Sequence, residues 1–350
     1  MRIGLKTGSG RVSEVRLEIE YSRGIHIKGM DLWLDADGVV DFSFISHAHI
    51  DHVAKHKRIL ATPQTARLYE NRLGKTEAKI LKFNQPCRLK GARIELFPSG
   101  HVLGSAQIII EKGGVRLVYT GDFKLRRGWT AEKAEIKECD ILIMESTFGL
   151  PHYVFPSRQE VEKQIVDFVE ENLSHNRTPV ILAYTLGKAQ EAMKLLGNKG
   201  FKLSVHVSIG KIASVYREFG VKFRNYVPYS PESLKGRVLI VPPWAKNSRM
   251  VSNIPRKRTA VLTGWAMDAR AKNWHGADKL FPLSDHADFS ELLEYVRRAN
   301  PAKVYTVHGF SEFVDHLREE GFDAEELKKT KKSFKFSKEL LLNYDLFRVL

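Results

Sequence analysis

The chain reads as an α/β protein in two parts, on three observations. After Pro151, apolar strands and helical segments alternate in the βαβ rhythm of a parallel sheet. Before Pro151 the chain is a series of short strands, turns and one glycine hairpin. Residues of metal-ligating type return repeatedly at strand ends. The 350 residues are enough for a sizeable core and two domains.

Glu14 to Ile19 and Ile25 to Ile27 alternate polar and apolar, as half-buried strands do. Val40 to Ile45 is an apolar strand. Pro63 to Leu73 is a basic helix. Arg93 to Pro98 is a strand, and Gln107 to Ile110 and Val115 to Thr120 form a hairpin about Gly113-Gly114. Asp140 to Met144 is a buried strand. Ser157 with Glu160 makes a capping box that opens a helix to about Leu173. Strands follow at 179–183, 202–207, 237–241 and 259–263, with a helix at 188–196. The stretch 242–258, rich in Pro, Asn, Ser and basic residues, reads as an exposed loop. Asp288 and Glu291 cap a further helix, 303–307 is a strand, and a helix from about Ser311 to Glu320 follows. The last twenty-odd residues are basic, then apolar, and suit either a closing helix or a partner-binding tail.

Lys+Arg number 56 against 41 Asp+Glu, a formal net charge of +15, which points to a polyanionic partner such as nucleic acid. The two cysteines, Cys87 and Cys139, exclude a disulfide scaffold and read as buried thiols in a reducing compartment. The N-terminus has no apolar signal core, and no apolar run approaches the ~18 residues of a membrane helix, so a cytoplasmic protein with no membrane association is expected.

The stretch Ser46-His47-Ala48-His49-Ile50-Asp51-His52 concentrates four potential metal ligands just past an apolar strand. His101, Asp122, Glu145 and His308 also stand at strand ends, where loops on a rigid base hold functional groups. Two cations about 3.5–4 Å apart make a clamp for displacement at phosphorus, with water activated near neutral pH, and such a pair needs a bridging carboxylate. Asp122, in Thr120-Gly121-Asp122-Phe123, is the candidate bridge. His47, His49 and His101 would complete one shell, and Asp51, His52 and His308 the other. Imidazoles with a carboxylate suit zinc first and manganese next.

His-X-His-X-Asp-His followed by Gly-His and Gly-Asp resembles the metallo-β-lactamase superfamily. Glu145-Ser146-Thr147, Ser284-Asp285-His286-Ala287-Asp288 and Val307-His308-Gly309 resemble the three extra motifs of its β-CASP nucleases. The strings Glu145 to Pro151 and Leu283 to Asp288 look like those of prokaryotic mRNA 3′-end processing factor-like, or DNA-ligase-associated exonuclease, proteins. The resemblance covers most of residues 10 to 320. It implies an αββα sandwich with an inserted α/β β-CASP cap: residues 1–152 and 276–350 for the sandwich, 153–275 for the cap.

By the same resemblance, Asp35 supports the ligand loop and Asp51 is both ligand and catalytic residue. His286 is the general acid that protonates the leaving oxygen, and Glu145 orients it. An imidazole beside a carboxylate holds its proton near neutral pH, which suits that role. Ser284, Thr263, Gly264 and Lys188 resemble positions that hold the phosphate backbone. Lys246, Arg249, Arg256, Lys257, Arg258 and Arg270 are read as lining a strand channel, with Trp244, Trp265 and Trp274 stacking bases. The expected activity is two-metal hydrolysis of single-stranded RNA or DNA in a cleft between the domains, with a separate protein partner supplying specificity. A small-molecule hydrolase of the same superfamily and a non-catalytic nucleic-acid-binding subunit are the competing readings. The resemblance spans RNA and DNA substrates and both endo- and exonuclease action.

Overall fold

The computed structural model describes residues 2–3, 17–268 and 270–329. The expected strand start at Glu14, the basic-apolar tail beyond 329 and the Trp274 side chain lie outside what it describes.

Two seven-stranded sheets face each other. The first takes its strands in chain order: β1 (Arg2–Ile3), β2 (Leu17–Tyr21), β3 (Ile25–Lys28), β4 (Leu32–Leu34), β5 (Phe42–Phe44), β6 (Arg58–Ala61) and β7 (Glu77–Ile80). It is antiparallel through β4 and parallel from β4 onward. The second sheet runs β8 (Cys87–Leu89), β9 (Ala92–Pro98), β10 (Ala106–Lys112), β11 (Val115–Tyr119) and β12 (Ile141–Ser146). Two late strands complete it, β19 (Lys303–Gly309) beside β12 and then β20 (Ala324–Glu326). Side-chain alternation decides which residues meet between the sheets. Ile25 and Ile27 of β3 turn inward and join Leu32, Phe44, Leu96, Ile108 and Ile143 in one core. Each such side chain contributes about 1.5–3 kcal/mol by leaving water.

Strand β12 is buried on both faces, which is why it reads as a continuous apolar run. Ile141 and Ile143 point between the sheets, while Leu142 and Met144 point outward. There they meet Leu292 and Val296 of one helix (Phe289–Ala299) and Phe313 and Leu317 of another (Phe313–Glu319). Helix α1 (Pro63–Leu73) covers the outer face of the first sheet through Tyr69, over Ile45, Ile59 and Ala61. The order of layers is αββα, as expected.

A third sheet stands apart in the chain. Its strands are β13 (Thr178–Leu182), β14 (Leu203–Val205), β15 (Tyr226–Pro228), β16 (Val238–Val241), β17 (Lys257–Leu262) and β18 (Lys279–Phe281). All are parallel, in the order β15-β14-β16-β13-β17-β18. Helices α2 (Arg158–Ser174), α3 (Lys188–Asn198) and α4 (Val207–Glu218) cover one face through Ile165, Leu196 and Ile209. The Ser157 hydroxyl caps α2 as expected, and Asp288 with Glu291 forms the expected capping box.

Two sequence readings need correction. The stretch 242–258 is not simply a loop. Short helical turns at Pro243–Asn247 and Arg249–Ser252 place Ala245, Val251 and Ile254 over Val180, Leu182, Leu239 and Val241, because the second face of the sheet must also leave water. Cys87 is half-buried rather than buried, because it lies on the edge strand β8; Cys139 is buried, and its thiol is pushed up to about 12. Among the described residues, no helix is long and apolar enough to cross a membrane.

Candidate metal centre

The ligand residues converge because β5, β9, β11, β12 and β19 all end at one edge of the sandwich. Two glycines allow the close approach. Gly100 (φ +79°) passes Lys124 so tightly that a Cβ would lie 2.3 Å from its carbonyl oxygen, and Gly121 (φ +53°) leaves no room for one beside Ser46. The β12–β19 pairing shifts register at Glu145/Ser146: Glu145 faces Val307 and Ser146 faces Gly309. His308 is the extra residue, left-handed at φ +52°, so a bulge turns it out of the ladder toward the site.

Four imidazoles are each held at one nitrogen by a fixed oxygen, which leaves the other nitrogen for the common space. His47 Nδ1 lies 3.0 Å from the Ser46 hydroxyl. His49 Nε2 lies 3.1 Å from the Leu186 carbonyl, and His101 Nδ1 lies 2.9 Å from the Asp285 carbonyl. His52 Nδ1 lies 3.0 Å from Asp35 Oδ2. The free nitrogens surround Asp122: its Oδ2 is 3.5 Å from His47 Nε2, 3.8 Å from His101 Nε2 and 3.3 Å from His52 Nε2. His49 Nδ1 and His101 Nε2 are 3.0 Å apart.

The residues present fit a cation. His47 Nε2 is fully buried with no hydrogen-bond partner, a costly arrangement unless a positive ion sits against it. One donor atom from each of His47, His49, His101 and Asp122 lies within 4.8 Å of all the others. Burial holds His47 and His101 well below the usual imidazole range, aided by the neighbouring rings, and brings His49 to about 4, so all three are neutral donors. Asp122 stays ionised: burial opposes its charge, but His52, His286 and His47 outweigh it.

The other expected set is looser. His52 is buried, with its Nε2 3.8 Å from Asp51 Oδ2, but the Asp51 side chain is 67% exposed. His308 is exposed, its ring centroid 5.4 Å from that of His52. Asp35, His47 and His52 also lie close together. The Asp35 oxygens are already taken, however, by the Ser46 amide and hydroxyl, the Tyr119 hydroxyl and His52, so Asp35 props the ligand loop from behind.

His286 reaches the centre from the other side. Its Nδ1 lies 2.9 Å from Glu145 Oε2 and 4.0 Å from Asp122 Oδ2. Burial disfavours its charge, but those two carboxylates overcome this and raise its pKa. Glu145 is fixed by the Phe123 amide and the Thr147 hydroxyl. The Ser284 hydroxyl accepts from the His286 amide at 3.0 Å, so it shapes the His286 loop. Lys188 is buried, with its ammonium 3.0 Å from Asp285 Oδ2. Thr263 is buried and accepts from the Trp265 amide, and Gly264 leaves room for Phe148, 2.4 Å from where a Cβ would stand.

The expected basic channel is dispersed. Arg256, Lys257 and Arg258 lie at the start of β17, whereas its end leads to Thr263 and the site. Lys246 bonds the His275 carbonyl, Arg258 pairs with Asp278 and Arg270 with Asp268. Trp244 is 69% exposed beside His206, while Trp265 packs on Phe148. Sequence reasoning missed Ser46 and Tyr119, the Leu186 and Asp285 carbonyls and the Lys188–Asp285 pair. A serine directly before the first histidine was the one available signal.

Residues 34–199 match the family described as Beta-lactamase superfamily domain, and residues 279–331 the Zn-dependent metallo-hydrolase RNA specificity domain. The chain is 42% identical over 311 residues to a probable DNA ligase of Opitutus terrae, covering 88% of this chain but only 31% of that protein. It is 29% identical to an RNase J-like protein of Methanocaldococcus jannaschii, covering 78% of this chain and 82% of the relative. It is 30% identical to cleavage and polyadenylation specificity factor subunit 3 of Dictyostelium discoideum, over 45% of this chain and 25% of that protein. With the αββα layers and the histidine-carboxylate cluster at their edge, these matches place the chain in the β-CASP nuclease family of the metallo-β-lactamase superfamily.

Proposed function

We propose that the chain is a two-metal phosphodiesterase that hydrolyses single-stranded RNA or DNA in the cytoplasm, in a cleft between the sandwich (1–152 and 276–350) and the cap (153–275), whose sheet also takes in β18 at Lys279–Phe281. The supporting observation is the orphaned His47 Nε2 within a ring of imidazoles, each fixed from behind and turned toward Asp122. His47, His49 and His101 would hold one ion, and Asp51, His52 and His308 the other, with Asp122 shared. Zinc suits these donors first and manganese second. Divalent cations there would supply Lewis-acid polarisation of a phosphoryl oxygen and a nucleophile from water near neutral pH.

The chain's own residues do the rest. Glu145 holds Nδ1 of His286, and the raised pKa keeps a proton on the ring for the departing oxygen. Ser284 fixes the loop that presents His286, and Asp35 holds His52 and Ser46 in place. The buried Lys188–Asp285 pair ties the N-terminus of α3 to that same loop. Two of the relatives carry RNA-processing names and one a DNA-ligase name, so both nucleic acids belong in the test, with a specificity-giving protein partner as a further expectation.

The experiment is digestion of 5′- and 3′-labelled single strands of RNA and DNA by the zinc- or manganese-loaded protein. Cutting is expected. His286→Ala should keep the bound metal yet slow turnover by roughly 10²–10⁴-fold. Loaded wild-type protein that leaves both strands intact would refute the reading, and a wild-type rate in the variant would remove His286 from it.

A further inference from the structure

At the end of the third sheet far from the metal centre, the chain forms a cavity of about 870 Å³. Its walls are the starts of β14, β15 and β16 and the turn that leaves α4. Five cations line it: Lys202, Arg217, Lys222, Arg224 and Arg237. No acidic residue is in the lining. Among the described residues, none of the five has a carboxylate within 4.0 Å. Elsewhere on the surface some cations are paired, as Arg93 is with Glu95 and Glu111, and Arg297 with Glu320; what sets this group apart is that five meet in one concavity with no acidic residue in its lining. Glu218, beside Arg217, turns away to make a two-pronged contact with Arg67 of α1 at 2.9 and 3.1 Å. Phe223 and Tyr226 stand half-buried in the same wall.

We propose that this cavity is a second binding surface for a single-stranded nucleic acid, one that anchors the strand outside the cleft. The choice of occupant rests on the nuclease reading above. Five uncompensated cations in a concavity suit a chain of phosphates, whose attraction grows with each charge neutralised. The parts of Phe223 and Tyr226 left exposed, where the rings pack edge-to-face on each other, add an apolar contact for unstacked bases. A lone phosphate fits less well, because strand starts and the end of α4 line the cavity, with no helix N-terminus to offer a cluster of amides. The parallel strands run from this cavity's end of the sheet toward the site, where β13 and β17 lead into Leu186 and Thr263. The five and six residues of those strands separate the two ends by roughly 15–20 Å. A short strand in the cleft therefore does not touch the cavity, and a long one does.

The test uses the full chain and its Lys202→Gln/Lys222→Gln/Arg224→Gln variant. All three side chains are exposed, so the fold should survive. Fluorescence anisotropy in chelator would measure binding of two labelled strands, one just filling the cleft and one several times longer. The variant should bind the long strand about tenfold or more weakly at low salt, and its salt slope should fall by about 2, at about 0.7 per lost phosphate contact. Binding and metal-loaded cutting of the short strand should not change. Equal affinity and equal slope for the long strand in both proteins would overturn the proposal. So would labelled polyglutamate losing affinity in the variant while the long strand does not, since the occupant would then be an acidic protein. Failure of wild type to cut, with long-strand binding still lost in the variant, would reject the nuclease reading and leave this surface standing.

Discussion

Asp122 stands between two unlike sets of donors. On one side His47, His49 and His101 are gathered within a few ångströms, each gripped at its far nitrogen by Ser46, Leu186 or Asp285. Burial keeps these rings neutral. On the other side His52 alone is buried and braced, by Asp35. Asp51 and His308 are exposed, and His308 depends on a bulge to face the site at all. The first half is preorganised. The second is the open side, where Asp51 and His308 face solvent. Rigidity and access are divided between two halves that share one carboxylate.

The largest effect should come from removing what the halves share. Asp122→Ala should lose both ions and all cutting. Asp51→Ala should empty only the open half, keeping one ion per chain but still abolishing cutting. Metal analysis of dialysed protein separates the two cases, and equal loss in both variants would erase the distinction between the halves.

A second, smaller effect concerns the lock behind the ordered half. Burial alone would raise the Asp285 pKa, but the Lys188 ammonium, with Lys124, brings it far below its ordinary 3.8. A depressed carboxylate stabilises the fold above its unfolded pKa and loses that contribution as pH falls. Asp285→Asn leaves the Lys188 ammonium buried without a counter-charge and should cost on the order of 3–5 kcal/mol at pH 7. Denaturant titration should show the gap to wild type closing as pH drops below about 3.8. A gap that ignores pH would mean that the pair is not the lock.

The elements that the sequence disclosed are those whose cause is local. Helix α1 runs from Pro63 to Leu73, as its pattern predicts, and the Gly113-Gly114 hairpin and the Asp288–Glu291 capping box need only near neighbours. The ligand types were legible because histidines and carboxylates were set at the ends of apolar runs. What escaped depends on distant partners. The grip of the Leu186 carbonyl on His49 spans 137 residues and involves a backbone atom, which no pattern can mark. The pairing of Lys188 with Asp285 spans 97 residues, which no local pattern marks. The +15 charge was legible but its location was not: the basic run near 256–258 belongs to the start of β17, while five cations with no acidic residue among them line the cavity where β14, β15 and β16 begin.

The central claim is that donors far apart in the chain meet around cations. The most direct test is an anomalous-difference map from crystals of the zinc-loaded protein. The account predicts two peaks flanking Asp122, one within reach of His47, His49 and His101 and one within reach of Asp51, His52 and His308. A map with no peak among these side chains would contradict it.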